Sequence, residues 1–341
     1  MNVYKNCLDL IKKECRSWLI TGVGGFIGSH LAQTLLLCQQ RVIGIDNFST
    51  GKQENIKEIE SSLSHQQREN FTFFSGDIRD REFCFRLSEG IDVILHQAAL
   101  ASVPTSIENP LMTHDVNVTG FLNILEAARK NNTRVVYASS SAIYGDASGL
   151  PKIETMPPAP LSPYGLTKLQ CEEYAALYTA LYNVHTIGLR YFNVFGPRQD
   201  PHGAYAAVIP AWINAYLTKK PALIYGDGEN TRDFCYIDNV VQANLLAATT
   251  KNKNAFGLSF NVASGNHLSL NELSAIIDRI ISEKVRLSAT AEPNYLPSRP
   301  GDIRHSYASL AFAKRELGYS PIVNMREGLE RTIQWFAKKR R

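Results

Sequence analysis

A chain of 341 residues with 44% hydrophobic and 20% charged residues has the length of one large or two coupled globular domains, and enough apolar content for an ordinary core. Its net charge of +4 is small, and its basic residues are scattered apart from the terminal Lys338-Lys339-Arg340-Arg341, so no nucleic-acid surface is expected and the tail reads as a solvated end. No run nears the roughly 20 apolar residues of a membrane span, Met1 to Cys15 contains no signal-peptide stretch, and the six cysteines lack Cys-x-x-Cys or zinc-type spacing, which together predict a cytoplasmic protein with reduced cysteines and no metal.

In chain order, residues 3 to 14 are amphipathic and predict a short helix ahead of the core. Ser17 to Thr21 is a short buried strand, followed by a glycine-rich turn and an apolar helix from about Phe26 to Leu37. Arg41 to Asp46 is a second strand, residues 50 to 69 a polar helix and loop, and Phe71 to Gly76 and Val93 to His96 two more strands. Thr113 to Lys130 has helical periodicity and Arg134 to Ser139 strand character. Ser162-Pro163 is a helix start, a cap oxygen followed by a proline that needs no donor, and His185 to Arg190 is the next strand. Alternation of this kind predicts an α/β fold, a doubly wound parallel sheet covered on both faces. Beyond it the pattern loosens into arginine-bearing loops at 193–199, 226–232 and 293–302, a smaller C-terminal lobe, while Phe260 to Ala263 is a candidate to return to the main sheet and interleave the two lobes. Cys38 and Cys171 fall in apolar helical patterns and read as small core residues.

Gly22, Gly25 and Gly28 are spaced Gly-x-x-Gly-x-x-Gly between a strand and a helix. The first permits a tight turn, the second lets backbone amides approach a pyrophosphate, and the third lets the helix pack against the sheet, with the helix N-terminus facing the phosphates. Asp46 ends the next strand, 18 residues after Gly28, where a carboxylate accepts from ribose hydroxyls and repels a 2′-phosphate; it favours NAD over NADP, with Gly51-Lys52 as a complicating positive charge. Gly76-Asp77-Ile78 is either an adenine contact or an ordinary strand-end turn. Gln97-Ala98-Ala99 lets backbone pass close to a cofactor, and His96 reads as a hydrogen-bonded core histidine.

Tyr164 and Lys168 are one helical turn apart and share a face. A free tyrosine has a pKa near ~10 and is a poor base at neutral pH; an adjacent ammonium and a positive nicotinamide ring both favour the phenolate. Ser140 and Ser141 end the preceding strand and can relay a proton. Together with the glycine turn these residues predict hydride chemistry at an alcohol carbon.

The blocks Gly22-Val23-Gly24-Gly25-Phe26-Ile27-Gly28, Asp46-Asn47-Phe48-Ser49-Thr50-Gly51, Gly76-Asp77-Ile78, His96-Gln97-Ala98-Ala99, Ser139-Ser140-Ser141-Ala142-Ile143-Tyr144-Gly145, Tyr164-Gly165-Leu166-Thr167-Lys168 and Arg190-Tyr191-Phe192-Asn193 resemble those of the extended short-chain dehydrogenase/reductases that act on nucleotide sugars. Within that family the chain is most similar to UDP-N-acetylglucosamine 4-epimerases of polysaccharide synthesis, through its N-terminal extension, residues 198–210 and Arg232-Asp233-Phe234-Cys235-Tyr236-Ile237. The resemblance implies an NAD-binding Rossmann domain over 1–190, rejoined by about 236–265, and a UDP-sugar lobe over most of 191–341. It implies NAD contacts from Gly22, Gly25, Phe26, Ile27, Gly28, from residues Asp46, Asn47, Phe48, Ser49, Thr50 and Gly51, from Asp77, Ile78, Gln97, Ala98 and Ala99, and from Tyr164 and Lys168. It implies substrate contacts from Ser102, Ser141, Tyr164, Asn193, Val208, Tyr225, Arg232, Arg299, Asp302 and Ser306, where arginine forks suit diphosphate oxygens.

The small Ser306 implies room for a 2-N-acetyl group, and Thr105, where relatives often carry arginine, leaves N-acetylhexosamine and its uronic acid both open. The implied reaction is 4-epimerisation through a 4-keto sugar by a homodimer joined at two helices, about Thr113 to Lys130 and Ser162 to Tyr182. A 4,6-dehydratase or decarboxylase would place a carboxylate just after the catalytic hydroxyl, where this chain has Ser141-Ala142-Ile143. A non-catalytic NAD sensor would lose the tyrosine or the lysine, and both are present.

Overall fold

The computed structural model describes residues 3–202, 207–285, 292–298 and 303–340. Seven strands form one parallel sheet: β1 (Ser17–Thr21), β2 (Arg41–Asp46), β3 (Phe71–Ser75), β4 (Val93–His96), β5 (Arg134–Ser140), β6 (Thr186–Tyr191) and β7 (Leu258–Val262), in the order β7-β6-β5-β4-β1-β2-β3. Every pair is parallel. Because the strands all run one way, Thr21, Asp46, Ser75, His96, Ser140 and Tyr191 come to the same edge, the edge at which such sheets bind ligands.

Strand side chains alternate between the two faces. Trp18 and Ile20 enter one buried cluster, and Leu19 between them enters the other. On β5, Val136 faces the first cluster, and Val135 and Tyr137 the second. A sheet with apolar side chains on both faces needs helices on both, which explains the near-continuous apolar runs in the sequence. The helix Val3–Lys13 buries Cys7 and Ile11 in the first cluster.

Two segments differ from the sequence-based expectation. Residues 50–69 form two helices, Gln53–Ser61 and His65–Glu69, the second opened by a capping box in which Ser64 and Gln67 satisfy each other's backbone amides. The predicted helix over Thr113 to Lys130 is interrupted: Pro110–His114 passes into a π-helical turn, Asp115–Thr119, before Gly120–Asn131. A valine–asparagine–valine–threonine run is a poor α-helix interior, and the wider turn re-aims Asn117 inward. The helix Pro163–Tyr182 starts as predicted, with the Ser162 hydroxyl accepting from Gly165 N.

Past β6 the chain builds three small sheets. Val194–Phe195 pairs with Cys235–Tyr236, Thr231–Arg232 lies between Leu268–Ser269 and His305–Ser306, and Leu223–Tyr225 pairs with Asn294–Leu296. Leu258–Val262 runs back alongside β6, two residues earlier than the predicted return at Phe260. No helix among the described residues is long and apolar enough to cross a membrane.

Candidate active site

The glycine turn is fixed by sterics. Gly22 has φ +72°, and a Cβ there would stand 2.8 Å from the Ala98 backbone nitrogen. A Cβ on Gly28 would collide with the Gly22 carbonyl, and one on Gly25 would press on the same oxygen at 3.0 Å. Asp46 is buried beneath this turn, and its carboxylate accepts from Gly24 N and Phe48 N, each at 2.8 Å. Burial raises its pKa and the amides oppose that rise. The carboxylate therefore does more than await a ribose: it also ties the turn to the end of β2.

A cleft beside it is lined by Gly22, Gly25, Asp46, Asn47, Ser49, Thr50, Asp77, Ile78, Gln97, Ala98 and Ala99, eleven of the sequence-predicted cofactor residues. Phe26, Ile27 and Phe48 instead pack against the core, and Gly51 abuts the Asp46 carboxylate. Asp77 sits in the cleft wall with its carboxylate held by Arg79 and by Asn47 Nδ2 at 2.8 Å, an arrangement that lowers its pKa to about 2. Lys52, the complicating charge, is paired with Asp200 at 2.8 Å. Donor turn, acidic residue and small-residue floor fit a dinucleotide.

At the end of β5 the Ser140 hydroxyl lies beside the Tyr164 side chain, where it opposes the rise of the phenol pKa, and caps the short turn Ser141–Ile143 by accepting from Ala142 N at 3.1 Å. Of the two candidate serines it is Ser140 that reaches the tyrosine. Lys168 is buried and its Nζ donates to Ala138 O at 2.9 Å. Burial raises the Tyr164 pKa, partly offset by Ser140, and burial lowers that of Lys168. His96 is a core histidine, with Nδ1 2.8 Å from Thr21 Oγ1 and a pKa lowered to about 3 by burial.

A separate, mostly apolar cavity of about 450 Å³ lies across the loops after β6. Asn193, Val208, Tyr225 and Arg232 line it, joined by Val103, Phe234 and Trp212. Asn193 takes φ +32° and donates from Nδ2 to Asp233 O. Ser102, Ser141, Tyr164 and Ser306 are not among its walls. Ser102 caps the helix Val103–Glu108, accepting from Thr105 N and from Thr105 Oγ1. Ser306 pairs in register with Arg232 on the neighbouring strand. Arg299 and Asp302 lie outside the described residues.

Sequence reading missed several supports. Asn117, on the π turn, bonds both backbone groups of Leu100 and the Thr167 hydroxyl; its signal was a polar residue amid β-branched neighbours inside a helical run. Thr21 Oγ1 accepts from Gln97 N and Ala98 N. Asp233, fully buried, accepts from Ser264 N and Oγ and from Gly265 N behind the arginine-lined strand.

The sequence profile of the NAD dependent epimerase/dehydratase family matches residues 18–263. The chain belongs to that family. It is 38% identical to a putative UDP-glucose 4-epimerase of Methanocaldococcus jannaschii over 95% of this chain and 99% of that protein. Among solved structures, the UDP-N-acetylglucosamine 4-epimerase of Methanobrevibacter ruminantium M1, in complex with UDP-N-acetylmuramic acid, is 36% identical, with a TM-score of 0.87 over 96% of this chain and 99% of that one. The UDP-glucuronic acid 4-epimerase of Bacillus cereus, in complex with UDP-glucuronic acid and NAD, is 34% identical, with a TM-score of 0.82 over 95% of this chain and 100% of that one. NAD is the family's cofactor, and the cleft between Gly22 and Ala99 has the chemistry to hold it.

Proposed function

We propose that the protein is a UDP-sugar 4-epimerase whose substrate is a UDP-N-acetylhexosamine, UDP-GlcNAc to UDP-GalNAc, or the corresponding uronic acid. The observation that carries this reading is the placing of Ser140 beside Tyr164 at the strand edge that also bears the cofactor cleft. Tyr164 takes the proton of the sugar 4-hydroxyl, directly or through Ser140, and returns it after inversion. Lys168, fixed by Ala138 O, holds the nicotinamide ribose. NAD, when bound, supplies a reversible hydride acceptor for C4, so the overall reaction consumes no oxidant. Arg232, Tyr225 and Asn193 hold the UDP portion in the apolar cavity; Arg299 and Asp302 are assigned to it as well, and Ser306 to the space beside the 2-N-acetyl group. The lobe built from most of 191–341 is the UDP-sugar side of the enzyme.

The dehydratase reading is disfavoured by the turn after Ser140. A dTDP-glucose 4,6-dehydratase is among the structural neighbours at 27% identity, but here Ser141, Ala142 and buried Ile143 offer no carboxylate. The protein is assigned as a homodimer. Leu166, Tyr174, Leu177 and Leu181 recur every three to eight residues on one face of Pro163–Tyr182 and are exposed, as are Ile107 and Leu111 nearby.

The test is incubation with UDP-GlcNAc and with its uronic acid, without added NAD, followed by NMR of the sugar. A galacto-configured product of unchanged mass is expected. Loss of water or carbon dioxide, or no product with either sugar after NAD addition, would overturn the assignment.

A further inference from the structure

A polar cavity of about 440 Å³ opens at the edge of the sheet opposite the active site. The parallel topology creates it: Arg16 and His185 directly precede β1 and β6, Asp92 precedes β4, and Arg134 begins β5. Lys251, just past the helix Ile237–Thr249, completes the rim. Strand starts whose far ends carry the cofactor and catalytic residues thus gather three fixed cations and a histidine around one space.

The three cations outnumber the two carboxylates beside them. Arg16 pairs with Glu14 at 2.6 Å, and Asp92, also on the cavity wall, accepts from Ser17 N through Oδ2. Arg134 donates through Nη1 to the Ala248 and Thr250 carbonyls and stacks 4.8 Å from the Phe256 ring centre, with no carboxylate among these contacts. Capping of the helix C-terminus accounts for that one nitrogen of Arg134; it does not account for the convergence of Arg16, Lys251 and His185. Arg134 is depressed by burial and by Arg16, and His185 by burial, Arg134 and Lys253. These groups repel one another across the cavity, which is the condition a bound multivalent anion relieves.

We propose that this cavity is a binding site for a small phosphate-type polyanion, separate from both the cofactor cleft and the UDP-sugar pocket. A guanidinium, an ammonium and an imidazole converging on one water-filled space suit the several oxygens of such a group better than a single carboxylate.

Pyrophosphate is the probe, titrated into the full-length protein at low ionic strength. Binding is read by calorimetry, and by NMR titration of the His185 imidazole, assigned with His185→Gln. The His185 pKa is expected to rise when pyrophosphate binds. The exposed charge reversal Lys251→Glu is expected to weaken this binding about tenfold or more and to cancel the rise, whereas Arg232→Ala, in the UDP-sugar pocket, leaves both unchanged. Lys253→Glu, two loop positions further, should weaken binding in the same direction. A His185 titration unmoved by pyrophosphate, or pyrophosphate binding lost entirely with Arg232→Ala, would overturn the proposal.

Discussion

The Ser139 hydroxyl donates to Glu172 Oε1 at 2.6 Å, joining the end of β5 to the helix Pro163–Tyr182 one turn beyond Lys168. Glu172 also takes Arg190 in a two-pronged pair, Nε at 2.9 Å and Nη2 at 2.7 Å, with both side chains nearly buried. Arg190 Nη1 then donates to Tyr144 OH, which donates to Asn261 Oδ1 on β7. One carboxylate thus registers Ser140, Tyr164 and Lys168 against three strands.

Replacing Glu172 with glutamine leaves the Arg190 charge buried without its counter-ion. Breaking a buried pair from one side costs about 3–5 kcal/mol, so Glu172→Gln should lower the unfolding free energy measured in urea by an amount of that order, with a lower midpoint. Turnover should fall more than KM changes, because Ser140 loses its register while the UDP pocket is untouched. The double variant Glu172→Leu/Arg190→Met should recover much of the stability and little of the turnover. An unchanged midpoint in Glu172→Gln would show that the pair contributes nothing net.

Ser140→Ala removes the one hydroxyl that opposes the burial-driven rise of the Tyr164 pKa. The phenol should then titrate at a still higher pH, seen as the phenolate absorbance difference between the Ser140→Ala protein and the same protein carrying Tyr164→Phe. Tyr164→Phe itself should lower turnover by roughly 10²–10⁴-fold, the range for loss of a general acid–base group, while UDP binding measured by calorimetry stays near that of the unaltered protein. Near-normal turnover in Tyr164→Phe would remove the tyrosine from the mechanism.

Much of this architecture is legible in the sequence because it rests on local chemistry. The strand limits at Ser17–Thr21, Arg41–Asp46 and Val93–His96 follow from short apolar runs bounded by polar residues, and the Ser162-Pro163 cap opens its helix where a cap must. What is not legible depends on distant partners. Nothing near Asp46 in sequence announces that Gly24 N would occupy its carboxylate, and nothing near Tyr164 reveals that burial would raise the pKa of its phenol. The π turn at Asp115–Thr119 brings Asn117 to Leu100 and Thr167, contacts 17 and 50 residues away. Lys168 is held by the carbonyl of Ala138 on β5, 30 residues away.

Exposed leucines on Pro163–Tyr182 give the proposed dimer a direct test. Leu177 and Leu181 are 52% and 67% exposed and one turn apart. The double change Leu177→Glu/Leu181→Glu places like charges on an apolar stripe and should yield a monomer by light scattering, with the fold retained by circular dichroism. A monomeric unaltered protein at micromolar concentration would remove the dimer assignment.

Acid sensitivity should come in part from two histidines held neutral, His96 buried and His30 half-buried. His30, whose Nε2 meets Pro197 O at 2.9 Å, and His96 both have pKa values lowered to about 3, chiefly by burial. An unfolded histidine takes up a proton near pH ~6.5, so between that value and about 3 the unfolded chain binds more protons than the folded one. The sign follows: the stability these groups preserve is present above pH ~6.5 and is lost as pH falls, by up to about 1.4 kcal/mol per pH unit for each histidine. Unfolding free energies measured in urea at pH 7 and pH 5 should therefore differ in favour of pH 7. In His30→Gln, where the amide can still donate to Pro197 O, the difference should shrink by roughly half of the histidine contribution. An unaltered pH slope in His30→Gln would mean that His30 is protonated in the folded protein, with the Arg198 charge beside it failing to hold it neutral.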